Sequence, residues 1–448
     1  MSAARQLILK EGKMSQVRKA MTLAAMLVAL AFVIVASGGT VEAAGLCVNP
    51  GGTHGCYASI QAAINAAASG STISIKPGTY RENITVTQSV TLAGAGDDTI
   101  IEPAISNPNP CTGSSLCGSP NAASNIFLVQ ANNVTIQNML LDGHNPLLHS
   151  GIVRGGVDLD ARNGIIENFY AGVFNNLQVR HVTIKNIYLR GVYASSGGTF
   201  TFRDNVVQNV QGDYYSIAMF NFGGSGVFAN NRVSYANDAI SANWSMGTQF
   251  LNNTITQSGS GVHTDNNGGS GGVADLIRGN EISNCAANGY GIFVFVPYVS
   301  PTVANNDISH CSVGLAAYGE AVPVTTTFSD NTVNGMKGST GVFITDDQLG
   351  YGANSISVVF LGNVIKNNAI GFDLERTVSS NTVAATLHNN DIENNTTGVN
   401  NNSGGVTDAT HNWWGCAKGP GAPGCNNIVN VGGSVTNYVP FLKKPNQH

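Results

Sequence analysis

One short string recurs along the chain and limits what it can become: an asparagine framed by apolar residues, as in FRDNVV at Asn205, FANNRV at Asn231, FLNNTI at Asn253 and IRGNEI at Asn280. It continues as VANNDI at Asn306, FSDNTV at Asn331, FLGNVI at Asn363 and LHNNDI at Asn390. Successive steps are 26, 22, 27, 26, 25, 32 and 27 residues, with a last step of 22 to Asn412. VTIQN, ending at Asn138, and VTIKN, ending at Asn186, are earlier copies. No regular leucine comb accompanies them. Repeats of about 20–30 residues without helical patterning predict an all-β solenoid, each turn giving short strands to long parallel sheets. Asparagine suits such a place because it tolerates left-handed backbone geometry and its amide can bond copies above and below.

Within a unit, a glycine opens a second apolar strand. It follows the asparagine by eight residues at Gly261, Gly314, Gly371 and Gly398, and by eleven and ten at Gly291 and Gly341, where loop insertions account for the difference. Strand alternation then sorts the side chains. Val262, Ile292, Leu315, Val342, Phe372 and Val399 point inward, as do Thr264, Val294, Ala317, Ile344, Leu374 and Asn401 two places on. The outward pairs are His263 and Asp265, Phe293 and Phe295, Ala316 and Tyr318, Phe343 and Thr345, Asp373 and Glu375, and Asn400 and Asn402. Tyr193, Phe220 and Asn243, beside Trp244, extend this row.

Charged residues make up 10% of the chain, against about 25% in an average soluble domain, so ordinary charged helices are scarce. A net charge of -5 leaves no basic face for a phosphate backbone, which argues against nucleic acid as a partner. Arg18 and Lys19 precede an apolar run over 20–37, followed by small residues to Ala43. Residues 1–43 read as a secretory signal peptide, because no basic stop-transfer cluster follows. No second long apolar stretch occurs, so the mature chain is expected to be exported, extracellular or at the cell surface or in a periplasm, and not embedded in a membrane.

The eight cysteines fall into local pairs, Cys47 with Cys56, Cys111 with Cys117, Cys285 with Cys311 and Cys416 with Cys425, which suits an oxidising compartment. Spacing alone does not fix connectivity, except at one place. Cys285 and Cys311 each lie five residues after a repeat asparagine, hence at the same point of neighbouring turns, about 4.8 Å apart and inside the Cα window of a disulfide.

The segment CYASIQAAINAAASGSTISIKPGTYRENITVTQSVTLAGAG, from Cys56, resembles the opening of pectinesterases and of periplasmic NosD-type proteins, and HNWWGCAKGPGAPGC, from His411, is similar to a closing segment of exported bacterial β-helix proteins. With the repeats, the chain resembles the right-handed parallel β-helices of the pectate-lyase-like superfamily. The resemblance implies about fourteen turns and this division: signal peptide 1–43, an N-terminal cap with a short helix over 44–75, the β-helix over 76–410, and a disulfide-stapled cap and tail over 411–448. Ile60, Ala63, Ile64 and Ala67 fall at helical spacing, and that helix would cover the first turn's strand edges. Trp413 and Trp414 read as a hydrophobic plug.

Chemistry must sit on outward positions or loops. Asp346 and Asp347 in GVFITDDQ, with Asp373, Glu375 and Arg376 in GFDLERT, lie on adjacent turns and are the first catalytic candidates. Two carboxylates about 5 Å apart suit a retaining glycosidase. Asp346, Asp373 and Glu375 can alternatively hold Ca²⁺, with Arg376 abstracting a ring proton in a lyase. His263 and Asp265 are a second candidate. Trp244, Phe293, Phe295, Tyr318 and Phe343 are candidate sugar platforms, although Phe293, Phe295 and Phe343 equally read as a ladder packing on itself. The G-H-G and R-x-K strings of polygalacturonases, the pectinesterase catalytic strings and the paired histidines of alginate epimerases are missing. The reading is an exported protein that binds, and as an enzyme would cleave by lysis or hydrolysis, an acidic polysaccharide or cell-surface glycan. A non-catalytic adhesion or structural solenoid is the alternative.

Overall fold

The computed structural model describes residues 46–266 and 272–446. The signal-peptide expectation for 1–43 lies outside them. The chain winds as a right-handed parallel β-helix with strands in a 25-stranded and a 13-stranded sheet. Every interstrand pairing between turns is parallel; among the described residues the sole antiparallel strand pair is the small hairpin Val153–Arg154 with Val157–Asp158, beside an isolated antiparallel bridge from Asp347 to Ala353. The 13-stranded sheet receives one strand per turn, close to the number of turns expected. Helix α1, Ile60–Ala66, is capped by Ser59 and buries Ile60, Ala63 and Ile64 over the first turn. At the other end Trp414 is fully buried and Trp413 nearly so, the plug expected. All four cysteine pairs are bridged, and Cys285 and Cys311 stand 4.7 Å apart at Cα.

From Asn205 to Asn412 the repeat asparagines form one column through the lumen wall; Asn138 and Asn186, read as earlier copies, stand outside it and are themselves left-handed at φ 56° and 59°. From Asn205 to Asn390 each gives both its backbone N–H and its side-chain amide to the Oδ1 of the next, for example Asn280 to Asn306 at 2.9 Å in both bonds. Each amide also donates to a carbonyl of the preceding turn, as Asn306 does to Ile277 at 3.1 Å. The left-handed backbone expected of these asparagines belongs instead to their predecessors: Asp204, Asn230, Asn252, Gly279, Asn305, Asp330, Gly362, Asn389 and His411 all have φ between 53° and 68°. Two jobs, turning the chain and bonding the next turn, need two backbone geometries and so two adjacent residues.

The strand-opening glycines have a steric cause. A Cβ on Gly291 would lie 2.5 Å from the carbonyl oxygen of Gly314, and one on Gly314 2.6 Å from that of Gly341. Beyond the glycines the two inward columns named above are all buried, in register from Val262 to Val399 and from Thr264 to Asn401. Aromatic stacks help fill the lumen, Phe328 lying parallel to Phe360 at 4.4 Å.

Two carboxyls are sealed in this interior. Glu167 is 1% exposed and accepts from the Ser196 backbone and hydroxyl, while its Oε1 has no partner. Burial pushes it up to about 7, and burial likewise pushes Asp275 up to about 6.

Two outcomes follow. Asn306→Ala removes four hydrogen bonds, two accepted from Asn280 and two donated to Ile277 and Asn331. It should cost about 3 kcal/mol, read as a fall in the denaturation midpoint. A carboxyl raised in the folded state lends stability that is complete below its unfolded pKa and lost as pH rises through its folded one. The protein should therefore melt higher near pH 5 than near pH 8, and Glu167→Gln should remove up to about 3 kcal/mol of that difference in calorimetry.

Candidate functional site

The outer face of the 13-stranded sheet carries two outward columns. The first runs in register through Leu128, Ile166, Tyr193, Phe220, Ser241, His263, Phe293, Ala316, Phe343, Asp373 and Asn400. Its beginning is closed. Leu116, from the loop bridged by Cys111 and Cys117, packs on Leu128, Ile166, Tyr193 and Phe220. Arg162, fully buried, clamps that loop by donating to the carbonyls of Pro108, Ser114 and Ser115. Arg190, also buried, lies over the rings of Tyr193 and Phe220. Tyr193 and Phe220, expected in the exposed row, thus serve as the floor under a loop.

The wall opens at Phe222. The strand Asp238–Ser245 pairs with Ser260–Asn266 in register up to Ala242 opposite Thr264, then shifts so that Ser245 faces Asn266. The extra residue of this β-bulge is Trp244, left-handed at φ 56° and 58% exposed. Its backbone N–H donates to Asp265, and its ring stacks on Phe222, 40% exposed, at 5.9 Å and 22°. The pair forms a flat aromatic shelf.

Beside the shelf stand the residues of the second candidate. His263 Nδ1 lies 3.1 Å from Ser241 Oγ and 3.7 Å from Asp238 Oδ2. Its ring stacks on Phe293 at 4.0 Å, and its Nε2 is buried without a partner. Asp265, mostly buried, has its carboxyl pushed above the usual range by desolvation, against the pull of His263 and the Trp244 N–H. Ser241 Oγ donates to Asn243 Oδ1 at 3.0 Å. Asp238, Ser241 and Phe222 were missed in the sequence. Phe222 was within reach, two places beyond Phe220 on the same alternation.

Farther along, the aromatic candidates pack on one another. Tyr318 lies 6.3 Å from Phe293, 6.0 Å from Phe295 and 6.0 Å from Phe343, and Tyr351 covers Phe295 at 6.0 Å. Tyr318 is 3% exposed, and its hydroxyl donates to that of Tyr290 at 3.1 Å. Burial, reinforced by that bond, raises its pKa. Phe293, Phe295 and Phe343 remain partly exposed at the edges of this ladder.

The first candidate does not assemble. Asp373 pairs with Phe343 and Glu375 with Thr345, while Asp346 lies one place beyond and is fully buried. Asp346 accepts four hydrogen bonds from the following loop: Thr377 N and Oγ1, Val378 N and Asn381 Nδ2. Burial alone would raise its pKa, but these donors outweigh it and hold Asp346 below the usual carboxylate range. Asp347 bridges to Ala353 within its own loop. Asp373 accepts from Asn400 at 2.9 Å and is raised by burial, Glu375 is exposed, and Arg376 Nη1 donates to Ser379 O at 3.3 Å. The oxygens needed for Ca²⁺ at Asp346, Asp373 and Glu375 therefore do not converge, and among the described residues no group of three or more His, Cys, Asp or Glu is placed to hold a metal ion. Asp346 is a loop brace: two carboxylates on adjacent turns meet only if both face the same side, and Asp346 is turned into the loop that follows.

Comparison with known proteins agrees with this architecture. Residues 191–351 match the family described as right handed beta helix region. The fold is similar to the catalytic unit of a GH87 alpha-1,3-glucanase from Streptomyces thermodiastaticus, at 16% identity and TM-score 0.56 over 92% of this chain and 72% of that one. It is similar to the tailspike protein of E. coli bacteriophage HK620, solved with a pentasaccharide, at 15% identity and TM-score 0.54 over 78% of this chain and 66% of that one. It is also similar to the A-module of the mannuronan C-5 epimerase AlgE6 of Azotobacter vinelandii, at 18% identity and TM-score 0.50 over 84% of this chain and 94% of that one. No curated protein sequence matches the chain. What the repeats, the parallel register and these likenesses share is one architecture: the chain is a right-handed parallel β-helix protein.

Proposed function

We propose that the protein binds an extended polysaccharide outside the cell, laid along the open part of the 13-stranded sheet with sugar rings on the Phe222–Trp244 shelf. The observation that carries this is the shelf itself: two near-parallel aromatic rings, exposed, beside Asn243, Ser241 and Asp265. Sugar faces stack on such rings while amides and carboxylates take their hydroxyls. The similar glucanase, epimerase and oligosaccharide-bound tailspike support the ligand class. Four disulfides support an oxidising location, and among the described residues no helix is long and apolar enough to cross a membrane.

A neutral glycan fits better than the acidic one expected from the sequence. The wall presents Asp238, Asp265, Asp373 and Glu375, and a uronate would meet like charge along it. In a cleaving protein Asp265 is the group suited to proton donation, since burial holds its pKa above the usual carboxylate range. His263 would act through Asp265's charge, because its Nε2 is covered. The second reading, a non-catalytic solenoid, is favoured by the aromatic ladder from Phe293 to Phe343, which satisfies itself.

The test is retention of the purified protein on a panel of neutral and acidic glycans by affinity electrophoresis, with product formation read by reducing ends and unsaturated-product absorbance. Trp244→Ala should weaken retention about tenfold, and Asp265→Asn should abolish any turnover. A panel that retains nothing removes the binding reading and leaves the structural solenoid.

A further inference from the structure

Beneath Trp244 runs a chain of polar groups that the outer wall does not use. Asn221, Ser245, Thr248, Thr264 and Asp275 are each no more than 1% exposed. Asn221 Nδ2 donates to Gly224 O at 2.9 Å and to Thr248 Oγ1 at 3.0 Å, which commits both of its protons. Because the single proton of Ser245 goes to Asp275, Thr248 must send its own hydroxyl proton to Ser245 Oγ, 2.6 Å away. Ser245 in turn donates to Asp275 Oδ1 at 2.6 Å. The same oxygen accepts Thr248 N–H at 2.6 Å, and Oδ2 accepts the Thr264 hydroxyl. Every donor points towards Asp275, whose carboxylate is the terminal acceptor of the chain. Ser245 follows Trp244 and Thr264 precedes Asp265, so this acceptor ties down the backbone on both strands of the bulge.

We propose that Asp275 is the positioning residue of the Phe222–Trp244 shelf and that a proton unlatches it. A protonated Asp275 has to donate through its new O–H to one of its former donors. That link reverses, the donor's own proton loses its acceptor, and the bulge that turns Trp244 outward is loosened. The proposal deepens the binding reading, on which its use to the protein rests. Burial, joined by the charge of Asp265 from the strand Ser260–Asn266, raises Asp275 to about 6 against its three donors; His263 faces Asp265 in turn. The switch therefore falls within mildly acidic pH.

The first readout needs no glycan. Emission of the full chain minus that of Trp244→Phe isolates Trp244 from Trp413 and Trp414. Titrated from roughly pH 4.5 to 8, this difference should show one transition with a midpoint near 6. Asp275→Asn should abolish it, whereas Asp265→Asn, which removes a neighbouring negative charge, should only lower the midpoint. A transition that persists in Asp275→Asn, or its absence from the folded wild type, overturns the proposal. If circular dichroism shows Asp275→Asn unfolded, Thr264→Val takes its place: losing one donor must raise the midpoint, and an unmoved midpoint overturns the proposal. A protein that shows the transition but retains no glycan sinks the binding reading and leaves the latch. One that retains glycan without any Trp244 transition does the reverse.

Discussion

The wall from Asn205 to Asn412, which carries the aromatic shelf, is built on the pitch that the asparagine column enforces. An amide that must receive two bonds from below and give one above cannot drift in height, so each turn is held at the spacing of a parallel sheet, about 4.8 Å. The glycine column imposes the same spacing sterically, because neighbouring backbones there leave no room for a Cβ. With the height set, chemistry is decided by one further choice at each position, inward or outward, and strand alternation makes that choice almost automatically.

This is why so much was legible. Asn253 to Asn390 and the glycines after them located the inward columns, and every residue placed there from alternation is buried. The bridge between Cys285 and Cys311 was a consequence of the same register. Alternation ceases where strands end, and there the sequence misled. Asp346 is the first residue past the strand Thr340–Thr345, so the rule that sent Phe343 outward says nothing about it, and it turned into the next loop. Tyr193 and Phe220 were sorted correctly as outward, yet outward is not exposed once a clamped loop lies over them. Burial by a distant loop depends on contacts between residues such as Leu116 and Phe220, which no local period encodes.

The buried polar residues divide along similar lines. The column asparagines satisfy each other by repetition and need no charge. Asp275 and Glu167 are not part of any repeat; each is a single carboxyl facing hydroxyls and backbone N–H groups of neighbouring strands, and desolvation outweighs what those donors give back. Such groups mark where the repeat was locally rewritten. Asp275 lies under the bulge, and Glu167 at the end of the strand Asn163–Glu167.

The same pitch also decides which aromatic side chains are free to meet a ligand. Equivalent positions on neighbouring turns are about 4.8 Å apart, within the range at which aromatic rings pair, so aromatic residues that keep register close on one another, as Phe293, Phe295, Tyr318 and Phe343 do around a single buried tyrosine. Their mutual packing consumes the faces that a sugar would need. Trp244 escapes because it is the extra residue of a bulge: no partner on the next turn stands opposite it, its backbone is left-handed, and its ring is offered to Phe222 on one side and to solvent on the other. A solenoid that lines its wall with aromatics makes a ladder; it makes an exposed shelf by breaking register once, and the buried groups beneath that break bond the strands on either side of it.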